Sequence, residues 1–403
     1  MASDTAPAKA PFRRDRATWV CYLLLGYFSL MVGATGALLP SLRLELGLTF
    51  TQASQHPSVY AVGLLLASFV TGRLSSRLGS RTLLWGGAVG MAAGAAVVMA
   101  APNVSWSLFG FFLMGGLGAL TLIEVSATLS ALHGPNRARA IGEANVLASF
   151  CTVLAPLCVG GAVATGLGWR VGVGLVPAAL LVIGAVFWRT PVPQTAPPGR
   201  TVAGRLPGRF WRFWTLLILC VAVEFGVLFW AAEYLQDVGF VTPAAAPLGL
   251  SAFFLAMLLG RAAGTRLAGR VGDKPLLLVS LGLALAGFLA YWLGGAAWAQ
   301  FVGLFVCGLG VANLYPFTIS LALGSVSGPS GRASARASFG SGLAILLAPF
   351  ALGALADLSS LRAAQTVLPV CLILAAANVF WALRAPVTSG SPNTAPASSR
   401  ESS

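Results

Sequence analysis

Five charged side chains sit in stretches otherwise too apolar to hold them: Glu124, Glu143, Glu224, Glu233 and Arg261. An ionised group at the centre of an apolar helix costs at least ~2.5–3.5 kcal/mol in a bilayer, so each marks an ion pair, a proton path or a ligand contact. Glu224 lies 12 residues into the apolar stretch 212–236. At ~1.5 Å per residue that is ~18 Å along a helix, near mid-span. A carboxyl there suits a proton carrier or a ligand contact, or it belongs to a structural pair. Glu124 shares a helical face with Thr121 and Thr128 and is the second carrier candidate. Arg261 could neutralise Glu224, hold an anionic group or snorkel toward the nearer surface. Glu143 follows Arg139 by one helical turn and pairs with it. Glu233 falls roughly opposite Glu224, near the outer end, and reads as an outer-gate or surface acid.

Other chemistries find no residues to serve them. His56 and His133 have no ligand-like partner, and the six cysteines lie inside apolar segments without metal-ligand spacing. There is no Walker-type phosphate loop and no nucleophile–base constellation. The expectation is a protein that is not an enzyme and holds neither metal nor cofactor.

The elements that must position these charges are apolar throughout. The chain has 403 residues, 57% hydrophobic and 9% charged, against about 25% charged in a soluble domain. Twelve spans fit: 18–42, 57–76, 82–101, 105–131, 140–163, 169–188, 212–236, 246–268, 275–294, 298–323, 336–356 and 363–384. The expected layout is a cytoplasmic tail over 1–17, a six-helix bundle over 18–188, a flexible or partly extended cytoplasmic linker over 189–211, a second bundle over 212–384 and a disordered cytoplasmic tail over 385–403. The net charge of +14 does not call for nucleic acid: with the N-terminus inside, every Lys and Arg except Arg43, Arg170 and Arg362 falls on the cytoplasmic side or near an inner helix end. That is the positive-inside rule, with the lipid bilayer as partner. The excess of Arg over Lys, with abundant Ala and Gly, suggests a GC-rich bacterial genome and hence a bacterial inner membrane.

The spans repeat. The loop Arg73-Leu74-Ser75-Ser76-Arg77-Leu78-Gly79-Ser80-Arg81 recurs 193 residues later as Arg266-Leu267-Ala268-Gly269-Arg270-Val271-Gly272-Asp273-Lys274. At the same offset Gly33 maps to Gly226, Leu154-Ala155-Pro156 to Leu347-Ala348-Pro349, and Gly160 to Gly353. Six spans separate the copies, so the halves share one orientation about an axis along the membrane normal. The Ala-Pro-x-x-x-Gly pattern, present in both halves, reads as a kink with close helix packing. Met31 is the counterpart of Glu224, and Tyr27 and Thr35 flank it on one face.

These features together resemble the major facilitator superfamily. Its loop 2–3 signature is roughly Gly-x-x-x-Asp-Arg-x-Gly-x-Arg/Lys; here it runs from Gly72 to Arg81, with Ser76 where the acid stands. The span 10 run Gly308-Leu309-Gly310 with Asn313, Tyr315 and Pro316, together with Glu124, is similar to the fucose-permease-like branch. The resemblance implies an all-α polytopic membrane protein of two pseudo-symmetric six-helix bundles. It implies a secondary transporter working by alternating access, with spans 1, 4, 7 and 10 lining the cavity. Cavity candidates are then Glu224, Glu124, Arg261, Tyr27, Thr35, Trp230, Asn313 and Tyr315. Inner-gate candidates are Gly72, Arg73, Arg77, Gly79, Arg81, Arg139, Glu143, Arg266, Arg270, Gly272 and Lys274. The expected partners are a small-molecule substrate and protons, and one chain supplies a whole pathway as a monomer. Proton-coupled uptake of a small polar metabolite leads. Proton antiport of a lipophilic or cationic compound is the alternative, and a transporter-like sensor or lipid scramblase the second.

Overall fold

In a computed structural model, residues 12–195, 206–237, 241–326 and 331–384 are described. The expected tail over 385–403, most of the one over 1–17 and the middle of the linker lie outside these residues. The described chain is helical: α1 (Arg16–Leu46), α2 (Phe50–Leu78), α3 (Ser80–Met99), α4 (Val104–His133), α5 (Arg137–Ala164) and α6 (Trp169–Phe187) precede the linker. After it come α7 (Gly208–Asp237), α8 (Ala246–Val271), α9 (Asp273–Leu293), α10 (Ala297–Val311), α11 (Leu314–Gly324), α12 (Gly331–Leu358), α13 (Leu361–Ala364) and α14 (Val367–Arg384).

Eleven helical runs among the described residues are long and apolar enough to cross a membrane. One of them, Val104–Ala164, has 61 residues and doubles back through the turn Gly134–Asn136, so the chain makes twelve crossings. Local chemistry sets the ends. Asp15 accepts from the Thr18 amide at 2.8 Å to start α1, and Gly47 closes it at φ 60°. Thr49 and Gln52 form a capping box that starts α2. The two loop copies end α2 and α8 at Gly79 and Gly272, at φ 87° and 86°. Only glycine takes that conformation without strain, which explains the repeated Gly.

The packing follows the repeat. α1 lies along α5, and α2 and α3 along α4; α7 lies along α12, and α8 and α9 along α10. The bundles meet where α2 packs on α12, α5 on α8 and α1 on α7. One end of the molecule carries Arg73, Arg77, Arg81, Arg266, Arg270 and Lys274 and is termed the Arg-rich face; α1 ends at the opposite, Arg-poor face. Large apolar side chains such as Leu181, Phe69 and Trp298 stand exposed around the outside, as a lipid-facing surface requires.

The linker departs from expectation at its start. Gln194 and Thr195 are docked on the α2–α3 turn: the Ser80 amide donates to Gln194 Oε1 at 3.1 Å, Gln194 Nε2 donates to the Ser75 carbonyl at 2.8 Å, and the Thr195 amide donates to Ser80 Oγ at 3.0 Å. Gln194 supplies both a donor and an acceptor to backbone groups that the turn leaves open, and this fixes the segment.

Candidate functional site

A cavity of about 140 Å³ lies between the bundles, lined from α1 (Phe28, Ser29, Val32), α5 (Ser149, Thr152), α7 (Glu224, Phe225, Leu228) and α8 (Phe254, Met257, Arg261). Glu224 and Arg261 face each other here, with Oε1 and Nη2 3.7 Å apart and side chains 18% and 42% exposed. Arg261 also reaches the Ala312 carbonyl and Ser149 Oγ, each at 3.4 Å. The Ala312 contact has a covalent origin. Residue 316 is proline, which has no N–H to return to the carbonyl four residues back. The helix breaks between α10 and α11, and the freed carbonyl points at the guanidinium. Asn313 secures the break by donating to the Gly260 carbonyl at 2.9 Å, next to Arg261 in sequence.

Several of the other expected cavity residues lie elsewhere. Glu124 is buried in a separate cavity of about 430 Å³ between α2 and α4. Its Oε2 accepts from Thr195 of the linker at 3.3 Å. The second carrier candidate is thus removed from the path between the bundles, because α4 turns that face toward α2. Tyr27 and Thr35 are buried off the cavity: Thr35 Oγ1 donates to the Val32 carbonyl, and the Tyr27 hydroxyl has no partner among the described residues. The lining face of α1 is Phe28, Ser29 and Val32, so the repeat relation through Met31 picks the wrong side of the helix. Trp230 does not line the cavity; its indole donates to the Pro349 carbonyl at 3.1 Å and packs on Phe50 near the Arg-poor face. Tyr315 is more open, with Glu224 and Ser341 as neighbours.

The Arg-poor face is closed between the bundles. Arg43 of α1 meets Glu233 of α7, with Nη2 2.6 Å from Oε1, and also lies over the Phe50 ring at 4.5 Å. Asp357 of α12 accepts from the Phe50 and Thr51 amides at 2.9 and 2.7 Å, capping the start of α2. Glycines let the helices approach. A Cβ on Gly36 would fall 2.3 Å from the Leu228 carbonyl oxygen. The repeat pair Gly160 and Gly353 faces the start of α8 and of α2, with a Cβ 3.0 Å from the Ala244 oxygen and 2.6 Å from the Phe50 oxygen.

Among the described residues the Arg-rich face shows no comparable closure. Arg73, Arg77, Arg266, Arg270 and Lys274 are exposed, without an ion pair among the described residues. Arg81 donates to the Trp188 carbonyl within the first bundle. Arg139 and Glu143 pair at 3.1 Å as expected, but Arg14 at 2.7 Å and the Tyr22 hydroxyl at 3.0 Å join them. All four belong to the first bundle, so this cluster ties α1 to α5 rather than bridging the bundles. Outside the membrane spans, that carboxylate raises the Arg14 pKa further above its ordinary value, chiefly through the hydrogen bond.

Sequence reasoning singled out Glu233 but missed its partner Arg43, and it missed Asp357 and the hydroxyls Ser29, Ser149 and Thr152. Pro316 was the available signal for the contact to Ala312.

A family model described as Major Facilitator Superfamily matches residues 19–327 and 234–402. The chain is similar to the membrane protein MosC of Rhizobium meliloti, 26% identical over 327 residues and covering 80% of each chain. Its fold matches a bacterial homolog of the human lysosomal transporter Spinster, in an inward-facing and unoccupied conformation, with a TM-score of 0.72 at 16% identity, covering 93% of this chain and 98% of that one. It also matches the nucleoside transporter NupG, with a TM-score of 0.77 at 11% identity, covering 92% and 100%. At these identities the two structures speak for the fold alone.

Proposed function

The chain belongs to the Major Facilitator Superfamily and is a multi-pass membrane transport protein, and from that premise we propose that it couples uptake of a small polar metabolite to proton entry by alternating access. The observation that carries this reading is the Glu224–Arg261 pair in the cavity between the bundles. A carboxylate beside a guanidinium is neutral as a pair. When a solute engages either partner, the other must change protonation or seek a new counter-ion, so solute and proton become linked.

The positive-inside rule puts the Arg-rich face in the cytoplasm. We read the closed Arg-poor face as the periplasmic gate and this arrangement as the inward-facing arm of the cycle. Arg43 with Glu233, and Asp357 with the start of α2, hold that gate. The loops around Arg73–Arg81 and Arg266–Lys274 would approach in the opposite arm. Glu124, isolated beside the linker, has no part in coupling.

The apolar share of the wall, Phe28, Phe225, Leu228, Phe254 and Met257, supports a second reading, efflux of a lipophilic cation held by Glu224. Proteoliposomes carrying a pH dye in the lumen separate the readings. Sugars, organic acids, amino acids, nucleosides and lipophilic cations are offered from outside. Uptake predicts lumen acidification with one class, lost in Glu224→Gln. Alkalinisation with a cation gradient supports efflux. Full accumulation of solute in Glu224→Gln, or solute movement with no proton movement, would sink both. Movement of no solute at all would favour the sensor or scramblase reading.

A further inference from the structure

The proton-coupled reading leaves the substrate open, and a substrate class drawn from the surroundings of Arg261 rests on that reading. Arg261 is loosely held. Arg14, Arg43 and Arg139 close on their carboxylates at 2.6–3.1 Å, within or near the ~2.7–2.9 Å of a charge-assisted bond. Arg261 has three contacts at 3.4–3.7 Å, from Ala312, Ser149 and Glu224. A guanidinium offers five donors in a planar fork that matches a carboxylate bidentately. This one faces open cavity with most of its donors unused. Around it the described lining is mostly aromatic and aliphatic, with hydroxyls at Ser29, Ser149 and Thr152 and Tyr315 near Glu224. A sugar would need donors and acceptors on every side, and this wall does not offer them.

We infer that the substrate is a small organic monoanion, a carboxylate on a compact apolar body, that takes Arg261 from Glu224 and thereby obliges Glu224 to accept one proton. Charge arithmetic sets the rule. The empty site holds Arg261 as a cation and Glu224 as an anion, with no net charge. With substrate and a protonated Glu224 it is again neutral. Substrate without a proton leaves one negative charge, and a proton without substrate leaves one positive charge. Closing the Arg-rich face removes the water that solvates such a charge, which costs several kcal/mol. Only the two neutral states cross, so one proton accompanies one monoanion, and transport is electroneutral.

The surroundings support this count. Glu224 faces Arg261 of α8, Tyr315 of α11 and Cys220 one turn back on α7. A tyrosine and a cysteine at their ordinary pKa values are neutral near pH 7. α1 adds Phe28, Ser29 and Val32, and Ser341 of α12 lies against Tyr315, none of them charged. The cavity of about 140 Å³ has room for a small ring, against the ~150 Å³ of an enclosed apolar cavity that holds benzene.

The test is binding to the purified protein in detergent, read by thermal shift and calorimetry at pH 6 and pH 8. The probes are monocarboxylates from propionate to benzoate, each beside its amide and its amine counterpart. At least one carboxylate should stabilise the protein while its amide and amine do not, and its affinity should fall as pH rises. Glu224→Gln, the neutral isostere, should bind that carboxylate at least as tightly and lose the pH dependence. Arg261→Gln should lose binding tenfold or more, and Arg261→Lys, which keeps the charge, should retain part of it; monodisperse elution shows that each variant is folded. Equal binding of an amide, preferential binding of an amine, failure of the whole panel, or unchanged pH dependence in Glu224→Gln each overturns the inference. In proteoliposomes, proton entry driven by a neutral solute or a cation would overturn this substrate class and leave proton coupling standing. Carboxylate uptake without a proton would overturn the coupling itself.

Discussion

The molecule holds two glutamate–arginine pairs on α7, built in opposite ways. Glu233 meets Arg43 of the other bundle at 2.6 Å, with side chains 3% and 20% exposed, and the guanidinium also lies over the Phe50 ring. Glu224 meets Arg261 of its own bundle at 3.7 Å and faces open cavity. The first pair is tight, dry and spans the seam, so breaking it strands a buried charge. The second is loose and wet, so each partner can be exchanged for solute or proton at small cost. Nine residues on one helix thus separate a contact suited to holding a state from one suited to being switched. What differs is the element opposite and the access of water, since the acid is the same.

One observable ranks the parts of this comparison: the fraction of molecules closed at the Arg-poor face, read from spin-label distances between the α1–α2 and α7–α8 connections. Glu233→Gln leaves the largely shielded Arg43 without its counter-charge and should give the largest shift, about 3–5 kcal/mol toward opening; a closed fraction equal to wild type would remove this pair from the gate. Gly36→Ala comes next. Its Cβ meets the Leu228 carbonyl oxygen, and such overpacking typically costs ~1–3 kcal/mol, here borne only by the closed state. Asp357→Asn keeps the shape but removes the charge from the start of α2, for a loss of about 0.3–1 kcal/mol. Glu224→Gln leaves every contact of the Arg-poor gate in place and strands Arg261 only when the other face closes, so it should not open the Arg-poor face at all. That variant should nonetheless lose at least tenfold in pH-driven accumulation. A shift toward opening for Glu224→Gln as large as that for Glu233→Gln would erase the distinction between the two pairs.

Much of the architecture could be read along the chain. Hydropathy located twelve crossings, and the structure splits only the tenth and last of them. The repeat located Gly79 with Gly272 and Gly160 with Gly353, and both pairs serve matching roles in the two halves. The site was less legible. Glu224 and Arg261 stood out because charge is costly in an apolar span, and they do meet. Glu124 stood out for the same reason but lies in another cavity, because cost marks a charge without saying which way it points. Tyr27 and Thr35 failed through the assumption that a repeat conserves helix rotation, whereas the two halves share only part of their lining faces. The docking of Gln194 and Thr195 could not be read, since composition alone marks the linker as loose and its partners Ser75 and Ser80 lie more than 100 residues away.

The sequence by itself determined that this chain crosses a membrane in two like halves and that a few buried charges must be answered. Those facts follow from transfer free energy and periodicity, which are local along the chain. Tertiary structure decided which charges answer one another. Arg43 and Glu233 are 190 residues apart, and whether they touch depends on the rotation and crossing of α1 and α7, which side-chain packing sets across the seam. It also decided which pair stays wet, because access of water belongs to the gap between bundles and to no single helix.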